Sequence, residues 1–200
     1  MIDKPAEQRG TSRRTFLQTV AGAIAAPPVL VSYSAFGQRE TADKVEGRSS
    51  AYMPFLLQDL SDRAEIQDLL TRYCYAIDDR DWDAYRQLFV PDAIIDDTVT
   101  GGIRSGVEEH VSYLARALSK IRISQHAIST LLLDIDGDSA RARLHGSCPM
   151  VVDLGEGKTQ VFFQGLWYRN RLVRTAGGWK LQELIEEGYW NHNLPVGFRF

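Results

Sequence analysis

Apolar residues recur at helical spacing in three stretches of the first 121 residues. The first stretch begins near Ser61 or Asp62, and either residue is a plausible N-cap. Its apolar positions share one helical face, which consists of Ile66, Leu69, Leu70, Tyr73, Cys74 and Ile77. We expect this face to cover the core of the protein.

Two shorter helices are predicted to follow. One covers residues 81–90 and ends before Pro91, after which "AIIDD" (93–97) predicts a short strand. The other covers residues 105–121, where Ser105 and Glu108 have the spacing of a capping box. Its buried stripe is predicted to consist of Val111, Leu114, Ala115, Leu118 and Ile121.

Beyond residue 123 the helical spacing is replaced by long runs of strand character. These runs include "SARARLHGSCPMVVDL" and "TQVFFQGLWYRNRLVRT", and the short connections "DGD", "GEGK" and "TAGG" separate successive strands. Helices followed by an antiparallel meander predict an α+β fold. We expect three helices to pack into a strongly curved, four- to six-stranded antiparallel sheet, forming a cone with one internal pocket.

The first 37 residues resemble a twin-arginine export signal. Arg13 and Arg14 precede an uncharged, mildly apolar stretch, and the small residues around position 36 form a suitable peptidase site. A retained membrane anchor is the alternative, although the stretch is barely long enough to span a bilayer. We therefore expect a signal over 1–37, a linker over 38–54, a domain over 55–200, and a periplasmic or secreted protein free of the membrane.

Composition limits the classes of partner. The chain has 200 residues, a net charge of −3 and 24% charged residues, so no basic surplus indicates nucleic acid or an anionic membrane as a partner. Four histidines lie far apart without ligand spacing, and neither a metal nor a cofactor is predicted. Cys74 and Cys148 could form a disulfide or remain free thiols.

The carboxylates at the end of the first helix differ in orientation. A helical residue advances by about 100°, which places Asp78 just beyond the rim of the apolar face and Asp79 on the solvent side. Asp78 is therefore the acid best placed to lean into the core, although a helix-end capping role explains it too. Asp79 and Asp81 are expected to meet solvent or to cap the next helix.

Three segments resemble the SnoaL-like family of the nuclear-transport-factor-2-like superfamily. They are "RAEIQDLLTRYCYAIDDRDWDAY", "SQHAISTLLLDIDGDSARA" and "YRNRLVRTAGGWKL", and the resemblance covers roughly residues 58–192. It implies a cystatin-like α+β barrel. It also implies that Asp78 and His126 form the dyad found in bile-acid dehydratase and lindane dehydrochlorinase, and that Tyr73 matches the tyrosine of the dehydratase.

Further residues are weaker matches to these enzymes. Arg174 matches an arginine of the dehydrochlorinase, and we expect it to contact an anion or a leaving group. Dense aromatic residues in the last strands form either plain core or a pocket for a flat ligand, and Trp167 and Tyr189 are the predicted substrate contacts. The dehydratase has a further arginine where this chain has Asn191 and His192.

The resemblance implies a cofactor-independent lyase for a small hydrophobic cyclic or aromatic substrate. An imidazole can act as a base near neutral pH, an aspartate can orient it, and a phenol can donate a hydrogen bond. His126, Asp78 and Tyr73 would take these roles. A proton-transfer isomerase uses the same groups, whereas a non-catalytic binding or partner subunit would use the dyad only for structure. A homodimer or homotrimer is expected.

Overall fold

Three α-helices accompany one curved sheet in the part of this protein that the computed structural model describes. The structure describes residues 39–198, with side chains from residue 52 onward. The predicted signal over 1–37 lies outside the described residues. The described residues from 46 onward group as one compact unit, and all contacts described below belong to it. No helix within the described range is both long and apolar enough to cross a membrane.

The first helix, α1 (Arg39–Asp78), begins earlier than the sequence pattern predicts. Residues 39–54 were predicted to form an irregular linker, and the structure places them in this helix instead. The N-cap prediction is also wrong, because Ser61 and Asp62 lie inside the helix. The predicted apolar face is confirmed, since all six of its residues are buried: Ile66, Leu69, Leu70, Tyr73, Cys74 and Ile77.

The second helix, α2 (Trp82–Arg86), is short, and strand β1 (Phe89–Asp96) follows it. Asp81 caps α2, because its side chain accepts a hydrogen bond of 2.9 Å from the Ala84 N–H. Phe89 and Val90, predicted to lie in the helix, begin the strand instead. Pro91 lies inside β1 where the strand register is irregular, a position that tolerates the missing N–H of proline.

The third helix, α3 (Val107–Ala117), ends in a 3₁₀ turn over Leu118–Lys120. The predicted capping box is wrong, because the N-cap is Gly106 and Ser105 lies in the short strand β2 (Arg104–Ser105). Of the predicted stripe, Val111, Leu118 and Ile121 are buried and Leu114 is half-buried. Ala115 is exposed, so its predicted burial is wrong.

Five further strands complete the sheet. They are β3 (Ile121–Ser124), β4 (Ala127–Asp136), β5 (Ser139–Gly155), β6 (Lys158–Thr175) and β7 (Gly178–His192). The order is β2-β1-β7-β6-β5-β3, and β4 also pairs with β5. All pairings are antiparallel except the parallel pair β1–β7. The α+β prediction is confirmed, with seven strands in place of four to six.

The core lies between the helices and one face of the long strands. Inward residues alternate with outward ones along β5 and β6, as expected where one sheet face is covered. The buried cluster joins residues of α1 to residues of β5, β6 and β7, among them Ile66, Leu70, Leu144, Phe162, Leu172 and Leu181. Cys74 and Cys148 are both buried and free, so they do not form a disulfide.

Candidate functional site

Asp78 and His126 meet at the end of α1. The Asp78 Oδ1 atom lies 2.6 Å from His126 Nδ1, and Asp78 Oδ2 accepts a hydrogen bond of 2.7 Å from the His126 backbone N–H. Both oxygens of one carboxylate therefore hold one residue, which restrains the ring as well as the backbone. The side chain of His126 is only 14% exposed and that of Asp78 only 16%.

The turn after α1 fixes the position of Asp78. Arg80 has a left-handed backbone with φ of 59°, which reverses the chain directly after the helix. Its guanidinium donates to the carbonyl of Ile77, and at 2.9 Å to the Ser124 hydroxyl on β3. This arginine thereby ties the end of α1 to the strand that precedes His126.

The environment keeps Asp78 ionised. Burial alone would raise the pKa of its carboxyl group, but hydrogen bonds from His126 and Ser124 outweigh that effect and hold the pKa below its usual value. An ionised carboxylate can only accept hydrogen bonds, so the proton in the 2.6 Å contact sits on His126 Nδ1. In the neutral imidazole, Nε2 is then the unprotonated nitrogen and can accept a proton.

His126 also lines a narrow cavity between the helices and the sheet. The free space is about 60 Å³, room for a few water-sized groups, so a larger ligand requires side chains at the mouth to move. Much of the wall is apolar, formed by Ile77, Ile95, Leu114, Leu118, Met150, Leu166 and Leu184. Within the described chain, no lysine or arginine is among the lining residues.

Tyr73 lines the same cavity one and a half turns before Asp78 on α1. Its ring packs edge-on against Tyr168 with centroids 6.3 Å apart. Burial raises the pKa of the Tyr73 phenol well above its usual value, so the hydroxyl keeps its proton and can donate a hydrogen bond. The structure thus brings Tyr73, Asp78 and His126 together at this cavity.

A second polar cluster lies in the cavity wall away from the dyad. We name Asp97, Thr100, His110 and Glu186 the acid cluster. The Glu186 Oε2 atom lies 2.7 Å from Thr100 Oγ1, and Asp97 Oδ1 accepts a hydrogen bond of 2.6 Å from the Ile103 N–H. All four residues of the acid cluster line the cavity.

The protonation of this acid cluster is unusual. Burial raises the pKa of Glu186 to about 8 and that of Asp97 to about 6. Burial also lowers the pKa of His110 to about 4, so this imidazole is neutral at pH 7. His110 Nε2 lies 3.7 Å from Asp97 Oδ2, too far for a hydrogen bond, and its Nδ1 is buried without a partner in the described chain.

Three predicted contacts lie elsewhere. Arg174 binds the buried Asp62 through two contacts of 2.6 Å and stacks on Trp179, and it does not line the cavity. The Trp167 ring packs against His145 and does not line the cavity. Tyr189 is 44% exposed and does not line the cavity either.

The sequence analysis missed the acid cluster, although strand alternation carries a signal for it. Asp97 follows the buried Ile95 by two residues, and Glu186 follows the buried Leu184 by two. Period-two spacing therefore directs both carboxylates inward. His110 is likewise one helical turn from the buried Val107.

The described residues of this site do not form a metal centre. In the part of the chain that the structure describes, no three histidine, cysteine, aspartate or glutamate side chains are arranged to hold a metal ion. The arrangement supplies instead a base oriented by a carboxylate, a neutral phenol and a set of buried carboxyl groups. Such groups can move protons at a small neutral molecule.

Comparisons with known proteins agree with this architecture. The protein Rv2910c of Mycobacterium tuberculosis is 37% identical over 128 residues, which are 64% of this chain and 86% of that protein. The crystal structure of Kfla4162 from Kribbella flavida is 26% identical, with a TM-score of 0.61 and coverage of 68% of this chain and 95% of that one.

A hexachlorocyclohexane dehydrochlorinase, LinA type 2, shares the fold at 22% identity. Its TM-score is 0.59, and the match covers 72% of this chain and 95% of that one. The family model described as a SnoaL-like domain matches residues 58–185, which is more than half of the chain. This protein therefore belongs to the SnoaL-like domain family.

Proposed function

We propose that this protein is a cofactor-independent lyase that eliminates a small leaving group from a neutral, mostly apolar cyclic substrate. The observation that carries the proposal is the Asp78–His126 contact of 2.6 Å at the wall of a cavity. A carboxylate that accepts from Nδ1 fixes the tautomer of the ring and raises the basicity of Nε2.

His126 is the base in this mechanism. Its Nε2 takes a proton from a substrate carbon, the electron pair of that C–H bond forms a double bond, and the leaving group departs from the neighbouring carbon. Asp78 acts through His126 and stabilises the imidazolium that forms. Tyr73 donates a hydrogen bond to an oxygen of the substrate that gains negative charge.

The lining of the cavity supports a neutral substrate. Apolar side chains suit an alicyclic or aromatic ring, and the acid cluster would repel an anion when ionised. By analogy, the relatives also favour a neutral cyclic substrate, since the dehydrochlorinase of this fold is named for its action on hexachlorocyclohexane. The analogy covers the class of reaction and leaves the substrate open.

A product assay without added cofactor tests this function. Purified protein is incubated with hydroxylated and halogenated cyclic ketones and cycloalkanes in the presence of EDTA. We expect an unsaturated product and one equivalent of leaving group from at least one compound. Failure of every compound to react, or reaction only after a metal or cofactor is added, would contradict the proposal.

We further propose that the protein acts in the periplasm as a homo-oligomer. The support is the Arg13-Arg14 pair at the start of the chain, together with Phe163 and Trp190, which are 41% and 48% exposed near the end of the sheet. Changing both arginines to lysine should retain the protein in the cytoplasm. Light scattering should give twice or three times the mass of the mature chain, and a monomer mass would overturn the assembly.

A further inference from the structure

The Thr100 hydroxyl oxygen lies within hydrogen-bond distance of two other oxygen atoms, and the number of protons on the three oxygens decides which group donates. Thr100 Oγ1 lies 2.7 Å from the backbone carbonyl oxygen of Asp97 and 2.7 Å from Glu186 Oε2. A threonine hydroxyl carries one proton, and a carbonyl oxygen carries none. Both contacts are full hydrogen bonds only when Thr100 donates to Asp97 and the Glu186 carboxyl group donates to Thr100.

The surroundings of Glu186 support a protonated carboxyl group. The titratable groups that face it are acids, phenols and a neutral imidazole: Tyr73, Tyr85, Asp96, Asp97, His110, Tyr113 and Tyr168. Asp96 is held by Arg104 at 2.7 Å, and no arginine or lysine lines the cavity within the described chain. An ionised Glu186 would therefore have no cation beside it.

Glu186 and His126 belong to one cavity. Glu186 lies on β7, and its register partner on β6 is Tyr168, which also lines the cavity. His126 directly precedes β4, which pairs with β5 on the other side of β6. Because the cavity has only about 60 Å³ of free space, any group bound in it lies close to the walls that carry both residues.

A further unpartnered donor lies in the same wall. The Nε2 atom of Gln164 is buried without a hydrogen-bond partner in the described chain, and Gln164 lines the cavity. A buried donor left unpaired destabilises the fold, and an oxygen of a ligand would remove that cost. Together with Tyr73 it can hold a carbonyl oxygen whose charge grows when a neighbouring carbon loses its proton.

We propose that Glu186 is the acid of this site and that the substrate is a β-hydroxy carbonyl compound. The inference rests on the proposed lyase function. His126 takes the proton from the carbon next to the carbonyl, the C–H electron pair becomes the double bond, and the C–O bond breaks. The departing oxygen takes the proton of Glu186 and leaves as water, so an imidazolium and a carboxylate remain and return to their first state by exchange with solvent.

The nature of the leaving group determines whether the reaction needs a proton donor such as Glu186. Hydroxide is a poor leaving group and needs a proton, whereas chloride departs as an anion without one. A carboxyl group that donates a proton therefore serves dehydration and contributes little to dehydrohalogenation. Tyr73, whose phenol pKa lies above its usual value, is a weaker proton donor than Glu186 and suits the carbonyl oxygen.

The test compares two probes that differ only in the leaving group. Wild-type protein and Glu186→Gln are assayed with 3-hydroxycyclohexanone and with 3-chlorocyclohexanone, both of which yield cyclohexenone. We expect Glu186→Gln to lose about 10²-fold or more of the dehydration rate and less than about tenfold of the chloride elimination. In wild type, dehydration should also decline above pH 8, where Glu186 loses its proton.

Controls separate this inference from the proposed function. Glu187→Gln changes an exposed neighbour that pairs with Arg143 and Arg169, and it should leave both rates unchanged. His126→Gln should abolish both eliminations. Equal losses of both rates in Glu186→Gln, or turnover of the chloride alone by wild type, would overturn the role of Glu186 and leave the lyase function standing. Wild type without activity on either probe would overturn both.

Carboxyl NMR checks the proton itself. In protein labelled with ¹³C at the glutamate carboxyl carbons, one signal that is missing from Glu186→Gln should titrate near pH 8. Thr100→Val removes the acceptor of the Glu186 proton and should move that titration without abolishing it. A Glu186 signal that titrates at the usual value for glutamate would contradict the inference that a protonated Glu186 donates to Thr100.

Discussion

The buried carboxyl group of Glu186 should make the stability of this protein fall as the pH rises. Its pKa is about 8 in the folded protein, against 4.5 for an ordinary glutamate. Between these values the unfolded chain has released the proton while the folded chain keeps it, so the free energy of unfolding decreases with pH. This loss of stability is absent below pH 4.5 and complete above pH 8.

The magnitude follows from the two pKa values. One pKa unit is worth about 1.4 kcal/mol, so ionisation of Glu186 should cost the folded state about 3 kcal/mol at pH 7 and about 4–5 kcal/mol above pH 8. Glu186→Gln removes this cost, because glutamine has no proton to release. Relative to wild type, the variant should therefore gain stability steadily from pH 5 to pH 8.

Urea unfolding at several pH values measures the effect. The quantity of interest is the difference in unfolding free energy between Glu186→Gln and wild type, since contributions from other titrating groups cancel in it. Glu187→Gln is the matched control and should differ from wild type by no more than about 1 kcal/mol at any pH, because its ion pairs are largely exposed. A difference for Glu186→Gln that does not change with pH would refute the reasoning.

Three further predictions concern the frame of the site. Asp62→Asn should reduce the unfolding free energy by about 2–4 kcal/mol in urea, since Asp62 is 3% exposed and leaves Arg174 without its main partner. Gly102→Ala should destabilise the protein by about 1–3 kcal/mol, because a Cβ atom there would lie 2.3 Å from Asp97 Oδ1. The two buried thiols, whose pKa values burial raises to about 11 and 12, should react with a disulfide reagent only after unfolding.

Each of these predictions has its own control. Arg171→Ala changes an exposed arginine on the same strand as Arg174 and should be nearly neutral, so equal losses at Arg171 and Asp62 would contradict the importance of the buried pair. Gly106→Ala meets no atom closer than 3.9 Å and should be tolerated better than Gly102→Ala. Rapid labelling of either thiol in the native protein would show that the helix end opens easily.

Local sequence patterns predicted much of this fold because they show which side of each helix or strand faces the core. The apolar face from Ile66 to Ile77 and the strand alternation after residue 123 each follow from which side of an element meets the core. The parallel pairing of β1 with β7 joins residues about ninety positions apart, such as Phe89 and Leu181. No local pattern specifies that pairing, since it depends on how the whole sheet closes.

The candidate site was predictable in part for the same reason. Helical geometry directs Asp78 toward the core, and the family resemblance supplies His126 as its partner. Arg174 was expected to contact a ligand because it matches an arginine of the dehydrochlorinase, and no local pattern shows that Asp62 binds it. Glu186 was overlooked because a carboxylate on a strand is usually exposed, and only the alternation with Leu184 marks it as inward.

The central claim is that His126, oriented by Asp78, is the base of this protein, and one comparison tests it directly. The value of kcat/KM for elimination and the melting temperature are measured on the same samples of wild type, His126→Gln and the surface control His145→Gln. We expect His126→Gln to lose about 10²–10⁴-fold in kcat/KM while it keeps a melting temperature close to that of wild type. A His126→Gln protein that stays folded and retains activity within tenfold of wild type would contradict the claim.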